Sequence, residues 1–127
     1  MSYKLGIKSR LKLKGVHPDL VRVVEKALDI SEVDFTVLEG LRTRERQKQL
    51  VEAGASRTLN SRHITGHAVD LGALVNGKVN WSWPLYDKIA YAMKEAALDL
   101  DIPIVWGGEW KSFKDGPHFE LNRNTYP

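Results

Sequence analysis

The segment Ser61–Asp70, with the sequence SRHITGHAVD, contains the residues on which the predicted fold and the predicted site both depend. His63 and Asp70 stand seven residues apart, and Gly66 between them permits a tight reversal of the chain. A loop that leaves His63 can therefore return as a strand. The residues that end in Leu71 alternate as in a half-buried strand, with Asp70 on the face opposite the apolar side chains. A carboxylate there is costly to bury unless it binds something.

A second segment, Asp115–Glu120 with the sequence DGPHFE, leads into another short alternating run. His118 and Glu120 share one face of this run, while Phe119 and Leu121 point into the core. If the two runs form adjacent strands, the polar faces of both segments come together. The sequence therefore predicts a cluster of imidazole and carboxylate side chains on a small sheet.

The candidate metal ligands are His63, Asp70 and His118. Two imidazoles and a carboxylate are a standard donor set for a catalytic zinc ion, which takes three protein ligands and leaves a fourth position for water. We therefore predict one Zn²⁺ ion, although cobalt or manganese could occupy the same donors. His67 lies four residues after His63, but Gly66 argues against a helix there, so we expect His67 near the site and not on the metal.

The combined pattern, S-x-H-x-x-G-x-A-x-D followed by D-x-x-H-x-E, resembles the zinc peptidases that cut peptidoglycan stem peptides. These are D-alanyl-D-alanine carboxypeptidases and dipeptidases, and the L-alanyl-D-glutamate endopeptidases found as bacteriophage endolysins. The resemblance runs from about Phe35 to Leu121, and the chain looks most like the small single-domain phage enzymes. It implies an α+β, hedgehog/DD-peptidase-like fold in which helices pack on a small antiparallel sheet and the metal site lies at the sheet.

The resemblance also implies roles for three charged residues. Asp115 occupies the position of the family's acidic general base, which leaves Glu120 to orient a ligand imidazole. From the residues alone Glu120 could be the base, and Asp115 would be a plain surface residue in a turn. Arg42 matches an arginine that points at the substrate carbonyl oxygen, where a fixed positive charge would stabilise the developing oxyanion. Without the resemblance, Arg42 would be assigned to a surface salt bridge.

Two further residues are candidates for contacts around the site. Ser61 could hydrogen-bond a ligand side chain or the substrate, or it could be only a turn residue. Trp110 is a candidate for the rim of the substrate cleft, with core packing as the alternative. Gly107 and Gly108, next to two indoles, would allow a ligand to approach the backbone closely.

Hydrophobic periodicity and turn signals predict the scaffold around these segments. An Asn-Gly pair at residues 76–77 predicts a hairpin that returns towards Val79 and Trp81. The first fifteen residues alternate lysine with leucine or isoleucine, and we expect an N-terminal arm packed along the domain, with a basic anchor for wall or membrane as the alternative. The predicted helices are Pro18–Asp29, Arg44–Ala53 and Pro84–Leu100, and the further predicted strands are Phe35–Leu38 and Ile102–Trp106.

Length and composition narrow the class of protein. A chain of 127 residues predicts one catalytic domain, residues 1–127, with no separate cell-wall-binding module. Cysteine is absent, which excludes disulfides and thiolate ligands. The net charge of +3 favours anionic partners. The charge does not choose between nucleic acid and cell-wall polymer, but no nucleic-acid-binding motif is recognised, so we expect no nucleic acid. The resemblance implies peptidoglycan as the partner.

The sequence contains no apolar run near the roughly 20 residues that span a membrane, and its N-terminus lacks the apolar core of a signal peptide. We therefore expect no membrane insertion and no signal peptide, and we also expect a monomer. The resemblance implies a protein that is made in the host cytoplasm and acts on the cell wall in the periplasm after release. The resemblance implies a zinc-dependent endolysin that hydrolyses the L-alanyl-D-glutamate bond of the stem peptide. The alternatives are a D-alanyl-D-alanine carboxypeptidase or dipeptidase, and a non-catalytic zinc- or peptidoglycan-binding protein.

Overall fold

The computed structural model describes residues 3–56 and 58–127. Five strands form an antiparallel sheet in the order β1-β2-β5-β4, with β3 pairing to β2. The strands are β1 (Asp34–Glu39), β2 (Ala68–Val75), β3 (Lys78–Asn80), β4 (Ile104–Trp106) and β5 (His118–Leu121). The helices are α1 (Ile7–Lys12), α2 (Pro18–Ile30), α3 (Arg44–Glu52) and α4 (Trp83–Leu100), and a 3₁₀ turn covers Gly107–Glu109. The predicted α+β class, a small antiparallel sheet with helices packed on it, is confirmed.

Helices α2 and α4 pack against each other and share one hydrophobic core with the sheet. Pro18 opens α2, and the His17 side chain accepts a hydrogen bond from the backbone N–H of Asp19. The predicted apolar stripe of α2 is fully buried. On the sheet, the core side chains of β2 and β5 alternate with the polar ones, as period-two patterning requires; the buried members are Val69, Leu71, Ala73, Phe119 and Leu121.

The register of β2 against β5 brings the two sequence segments together. Asp70 pairs with His118, and Ala68 pairs with Glu120. Directly opposed residues on antiparallel strands have neighbouring side chains on one face. The predicted adjacency of the two alternating runs is therefore confirmed. Asp70 and His118 lie on the sheet, and His63 lies on the loop that precedes β2.

The turn before β2 depends on Gly66. Its φ of +78° lies in the left-handed region, which side chains other than glycine adopt at a cost. A Cβ at this position would overlap the backbone carbonyl of Gly15, and the Gly66 carbonyl accepts a hydrogen bond from the His17 N–H at 2.8 Å. Close contact with the segment before α2 therefore fixes the loop that carries His63.

Gly66→Ala is expected to destabilise the fold by more than the left-handed penalty of about 1–2 kcal/mol, because strain and overlap add at this position. Gly54→Ala is the matched control, since Gly54 has φ +77° and a Cβ added there would meet nothing within 4 Å. Urea unfolding of both variants measures the difference. Equal losses of unfolding free energy in the two variants would contradict the role assigned to the Gly15 contact.

The N-terminal segment packs along the domain, and it contains a helix that the sequence did not predict. Residues Ile7–Lys12 form α1, and its Ser9 hydroxyl accepts a hydrogen bond from the backbone N–H of Val37 at 3.0 Å. Strand β1 lies at the edge of the sheet, so this contact satisfies a donor that would otherwise be unpaired. Residues 1–2 of the predicted arm lie outside the described residues.

Other boundaries shift by one or two residues. The hairpin at residues 76–77 is confirmed, with left-handed φ at both positions, but β3 ends at Asn80, so Trp81 is not part of the strand. The fourth strand begins at Ile104 and not at Ile102. Thr43 caps α3 by accepting a hydrogen bond from the Arg46 N–H. Across residues 3–56 and 58–127, none of the helices combines the length and the apolar character that crossing a membrane would require.

Candidate metal centre

A cleft of about 460 Å³ runs over the polar face of β2 and β5. It contains the three candidate ligands together with both carboxylates that the sequence offered as the base. Its walls come from the loop before Asp70 and from the segment between the 3₁₀ turn and β5. The lining includes Glu39, Arg42, Ser61, Arg62, His63, Asp70, Trp110, Phe113, Asp115, His118, Glu120 and Arg123.

The three candidate ligands converge through one atom each. Nε2 of His63 lies 3.2 Å from Oδ1 of Asp70, and Nδ1 of His118 lies 3.3 Å from the same oxygen. The donor atoms all lie within 4.8 Å of one another. Both histidines are buried, so the cluster is shielded from bulk water on its protein side.

The remaining nitrogen of each imidazole has a fixed partner. Nδ1–H of His63 donates to the Gly40 carbonyl at 2.9 Å. Nε2–H of His118 donates to Oε1 of Glu120 at 2.8 Å. Metal-binding histidines are commonly held in this way, because the second hydrogen bond selects the tautomer and orients the ring. Glu120 thus contacts a candidate ligand from behind, at the place where the resemblance had put it.

This donor set fits a divalent cation. The outward hydrogen bonds to Gly40 and Glu120 leave the lone pairs of Nε2 in His63 and Nδ1 in His118 directed at the Asp70 carboxylate. Three electron-rich atoms that converge repel one another unless a proton or a cation lies between them. Two imidazoles and one carboxylate also match the three-ligand sets of catalytic zinc. The residues could therefore hold one metal ion.

Without a bound cation, the same contacts shift two pKa values. Burial alone would raise the pKa of Asp70, but hydrogen bonds from His118 and His63 outweigh it and hold that pKa well below its usual range. Burial alone would lower the pKa of His118, but hydrogen bonds to Asp70 and Glu120 outweigh it and raise that pKa to about 9. The cluster therefore retains a proton that a metal ion has to displace.

After chelation of the metal, the free energy of unfolding is expected to fall as the pH rises from 6.5 towards about 9. The folded state binds the His118 proton more tightly than the unfolded chain does. The stability gained from this proton is therefore complete below the unfolded pKa of 6.5, and it is lost as the pH rises through the folded pKa. The Asp70 contribution has the opposite sign and is lost as the pH falls below 3.8. Urea unfolding in the presence of a chelator, across this range, measures the slope. His118→Ala should lack the alkaline decline, and an equal decline in that variant would contradict the assignment.

Asp115 lies beside the ligand cluster at the end of the loop that precedes β5. Its N–H donates to the Gly107 carbonyl at 3.0 Å, and its carbonyl accepts from the His118 N–H at 3.2 Å. Burial, reinforced by the charge of Asp70, raises the pKa of the Asp115 carboxyl. A carboxyl group with a raised pKa is better matched to proton transfer near neutral pH.

The two glycines of the 3₁₀ turn serve the protein's own packing. A Cβ at Gly107 would lie 2.5 Å from the Asp115 carbonyl oxygen, and a Cβ at Gly108 would overlap the indole of Trp106. The prediction that these glycines admit a ligand is therefore wrong. Their lack of side chains instead lets the Asp115 turn lie against the 3₁₀ turn.

Arg42 is buried at the edge of the cluster and is held on two sides. Nε and Nη2 donate to the carboxylate of Glu39 at 2.8 and 2.7 Å, and Nη1 donates to Oε1 of Gln47 at 2.7 Å. Nη2 also lies 3.6 Å from Oδ2 of Asp70. The guanidinium is therefore a fixed positive charge beside the candidate metal ligands. Arg42 is buried and does not form a salt bridge on the surface.

Comparison with known proteins identifies the family of this chain. A family model described as phage L-alanyl-D-glutamate peptidase matches residues 1–126. The chain belongs to this family. The L-alanyl-D-glutamate peptidase of Escherichia phage T5 is 35% identical over 130 residues, which cover 99% of this chain and 94% of that protein.

Two bacterial proteins extend the comparison. The peptidoglycan L-alanyl-D-glutamate endopeptidase CwlK of Bacillus subtilis is 26% identical over 116 residues, which cover 72% of this chain and 63% of that protein. The crystal structure of the Serratia marcescens L-Ala D-Glu endopeptidase ChiX superposes with a TM-score of 0.93 at 52% identity, covering 99% of this chain and 95% of that one. The fold of this peptidase family is therefore shared over almost the whole chain.

The remaining predicted residues fall in different places within this family fold. Trp110 lines the cleft, and its ring centroid lies 5.0 Å from that of His118. The Ser61 hydroxyl accepts a hydrogen bond from the His63 N–H at 3.2 Å, which is the contact of a turn residue. His67 bonds to the Thr65 hydroxyl through Nδ1 and does not line the cleft.

Sequence reasoning missed three polar residues that shape the cleft. Gln47 is fully buried and ties Arg42 to the Ser56 hydroxyl. Arg62 is buried and donates through Nη2 to the carbonyls of Leu121 and Tyr126. Arg123 lines the cleft mouth next to Glu120. Only Arg62 had a signal in the sequence, because it lies inside the first motif. Gln47 and Arg123 stand in polar stretches that have no recognisable pattern.

Proposed function

We propose that this protein is a zinc-dependent endopeptidase that hydrolyses the L-alanyl-D-glutamate bond of peptidoglycan stem peptides. The observation that carries the proposal is the convergence of His63, Asp70 and His118 within 4.8 Å in a cleft that also holds Asp115. Membership of the peptidase family supplies the bond that is cut. The relatives named for this activity match the chain over most or nearly all of its length.

Zinc is the metal that best suits the donors. His63 and His118 would bind it through Nε2 and Nδ1, and Asp70 through Oδ1. A bound zinc ion supplies Lewis acidity and lowers the pKa of water towards 7. The backing contacts from Gly40 and Glu120 hold both imidazoles in the tautomers that this binding needs.

Asp115 acts as the general base in this proposal. Its carboxylate accepts a proton from the attacking water and then donates it to the nitrogen of the leaving D-glutamate, so that no net proton is consumed at the residue. Burial beside Asp70 supports this role, because it raises the proton affinity of the carboxyl. Glu120 is less suited, since it accepts the His118 proton at 2.8 Å and lies near two arginines.

Arg42 stabilises the negative charge that develops on the carbonyl oxygen. Its guanidinium is fixed by Glu39 and Gln47, so no reorganisation is needed when charge appears. We further propose that residues 1–127 act as one catalytic domain and as a monomer, because a single chain supplies every group in the cleft. The site of action is the peptidoglycan of the cell wall, reached in the periplasm after release from the host cytoplasm.

Mass spectrometry of the fragments released from purified peptidoglycan, with and without a chelator, tests this function. We expect stem peptides that begin at D-glutamate, and we expect chelation to abolish them. Release of terminal D-alanine alone would identify a carboxypeptidase instead. No release at all, with metal bound, would favour a non-catalytic binding protein.

A further inference from the structure

We propose that Arg123 forms a subsite that binds the free carboxylate of the D-glutamate residue on the leaving side of the scissile bond. The inference rests on the proposed function and adds the group by which the enzyme selects its substrate. Arg123 would be a specificity-determining residue and would take no part in the proton transfers.

The chemistry of the substrate requires such a carboxylate. Glutamate has two carboxyl groups. In the substrate of an endopeptidase, the peptide chain continues beyond the glutamate through one of them. The other carboxyl group is then free and negatively charged, on the residue directly after the cleaved bond. Since one residue spans at most about 3.6 Å, this charge lies within roughly 4–7 Å of the scissile bond.

Four acidic side chains line the cleft, Glu39, Asp70, Asp115 and Glu120, together with Arg42, Arg62 and Arg123. Arg42 is already paired with Glu39, and Arg62 lies 3.9 Å from Glu120, so the acidic side chains of the cleft already use these two charges. A substrate carboxylate that enters the cleft therefore needs a positive partner near the leaving side.

Arg123 is the described cleft arginine whose charge is open to a ligand. Its side chain is 65% exposed, whereas the side chains of Arg42 and Arg62 are 8% and 9% exposed. Arg42 is held by Glu39 and Gln47, and Arg62 by two backbone carbonyls. The described contact of Arg123 runs from Nε to Oε2 of Glu120 at 3.6 Å, and none of the described residues accepts a hydrogen bond from its guanidinium.

The backbone presents Arg123 in a defined place. It follows β5 directly, in a turn where the N–H groups of Thr125 and Tyr126 donate to the Asn122 carbonyl at 3.2 and 2.8 Å. The N–H of Asn124 donates to the Asn122 side chain at 2.8 Å. These hydrogen bonds fix the turn that carries the backbone of Arg123. Its guanidinium is planar and can bind a carboxylate through two parallel hydrogen bonds.

Arg123 lines the same cleft as the candidate metal ligands. It contacts Glu120, and Glu120 accepts the proton of His118, whose other nitrogen faces Asp70. A carboxylate of a substrate bound in this cleft would therefore share the cleft with the guanidinium of Arg123.

The test compares two synthetic stem peptides that differ only at the branch carboxyl of D-glutamate, which is free in one and amidated in the other. We expect the wild-type enzyme to cleave the free acid with a kcat/KM roughly 10- to 100-fold higher, because a charge-assisted hydrogen bond is lost on amidation. Arg123→Ala should lose this preference, mainly through a higher KM for the acid. Its kcat/KM for the amide should change by less than about threefold.

Two controls separate binding from other effects. Lys111→Ala removes an equal charge from an exposed residue that does not line the cleft, and it should keep the wild-type preference. Metal content should be unchanged in Arg123→Ala. If Arg123 served only to hold Glu120, the variant would instead lose metal and would lose activity equally on both peptides.

The inference is overturned by equal cleavage of the two peptides by the wild-type enzyme, or by an unchanged preference in Arg123→Ala. Equal loss on both peptides would also overturn it. Failure of the wild-type enzyme to cleave either peptide, with metal bound, would overturn the proposed function and this inference with it. The results for the two claims are therefore distinguishable.

Discussion

His118→Ala is expected to retain less than about a tenth of the bound metal and to lose peptidoglycan hydrolysis with it, because one of three ligands is removed. The substitution deletes the Nδ1 atom that faces Asp70 at 3.3 Å and frees the Glu120 carboxylate that backs it. Strand β5 should persist, since Phe119 and Leu121 supply its core contacts. Metal analysis of the purified variant and release of soluble fragments from peptidoglycan measure the two effects.

His67→Ala is the matched control for this experiment. It also removes one imidazole from the region of the first motif, but His67 packs beside His17 and does not line the cleft. Metal content and activity should remain close to those of the wild type. Normal metal loading in His118→Ala would contradict the ligand assignment, and so would loss of metal in His67→Ala.

Asp115→Asn is expected to keep the metal and to lose turnover by about 100-fold or more, as removal of a general base commonly does. The amide has nearly the same shape as the carboxylate but cannot take the proton. The hydrogen bonds that hold this turn use the backbone N–H and carbonyl of Asp115, so the substitution leaves them intact. Steady-state kinetics on a stem peptide, together with metal analysis, test the claim.

Glu120→Gln provides the contrast. The Glu120 carboxylate accepts a hydrogen bond from the His118 imidazole, so loss of its negative charge should weaken metal binding by about 10- to 100-fold. Added zinc should overcome this weaker binding in part. If Asp115→Asn instead loses the metal, and Glu120→Gln keeps the metal but is inactive, the two carboxylates have the opposite roles.

The sequence was most informative where side chains alternate along strands. Asp70 and His118 each lie on the polar face of an alternating run, and pairing the two runs as adjacent strands buries their apolar faces and places the polar residues side by side. Both strands and the convergence of the ligands followed from that pattern. Gly66 added the reversal of the chain, since its left-handed φ is a conformation that glycine favours.

Contacts between distant residues were not predictable from local patterns. Ser9 bonds to strand β1 across 28 residues of sequence, and a six-residue helix such as α1 gives little periodicity to detect. Gln47 was unpredictable because a buried glutamine in a polar helix looks like any solvent-exposed one. The roles of Asp115 and Arg42 came from the resemblance, because charge and spacing alone would have placed both on the surface.

The most direct test of the metal centre is X-ray diffraction at the zinc absorption edge from crystals of the zinc-loaded protein. We predict one anomalous peak bonded to Nε2 of His63, Oδ1 of Asp70 and Nδ1 of His118, at the roughly 2.0–2.2 Å typical of zinc with nitrogen and oxygen ligands. A peak bonded to the opposite imidazole nitrogens, or one located away from this cluster, would contradict it.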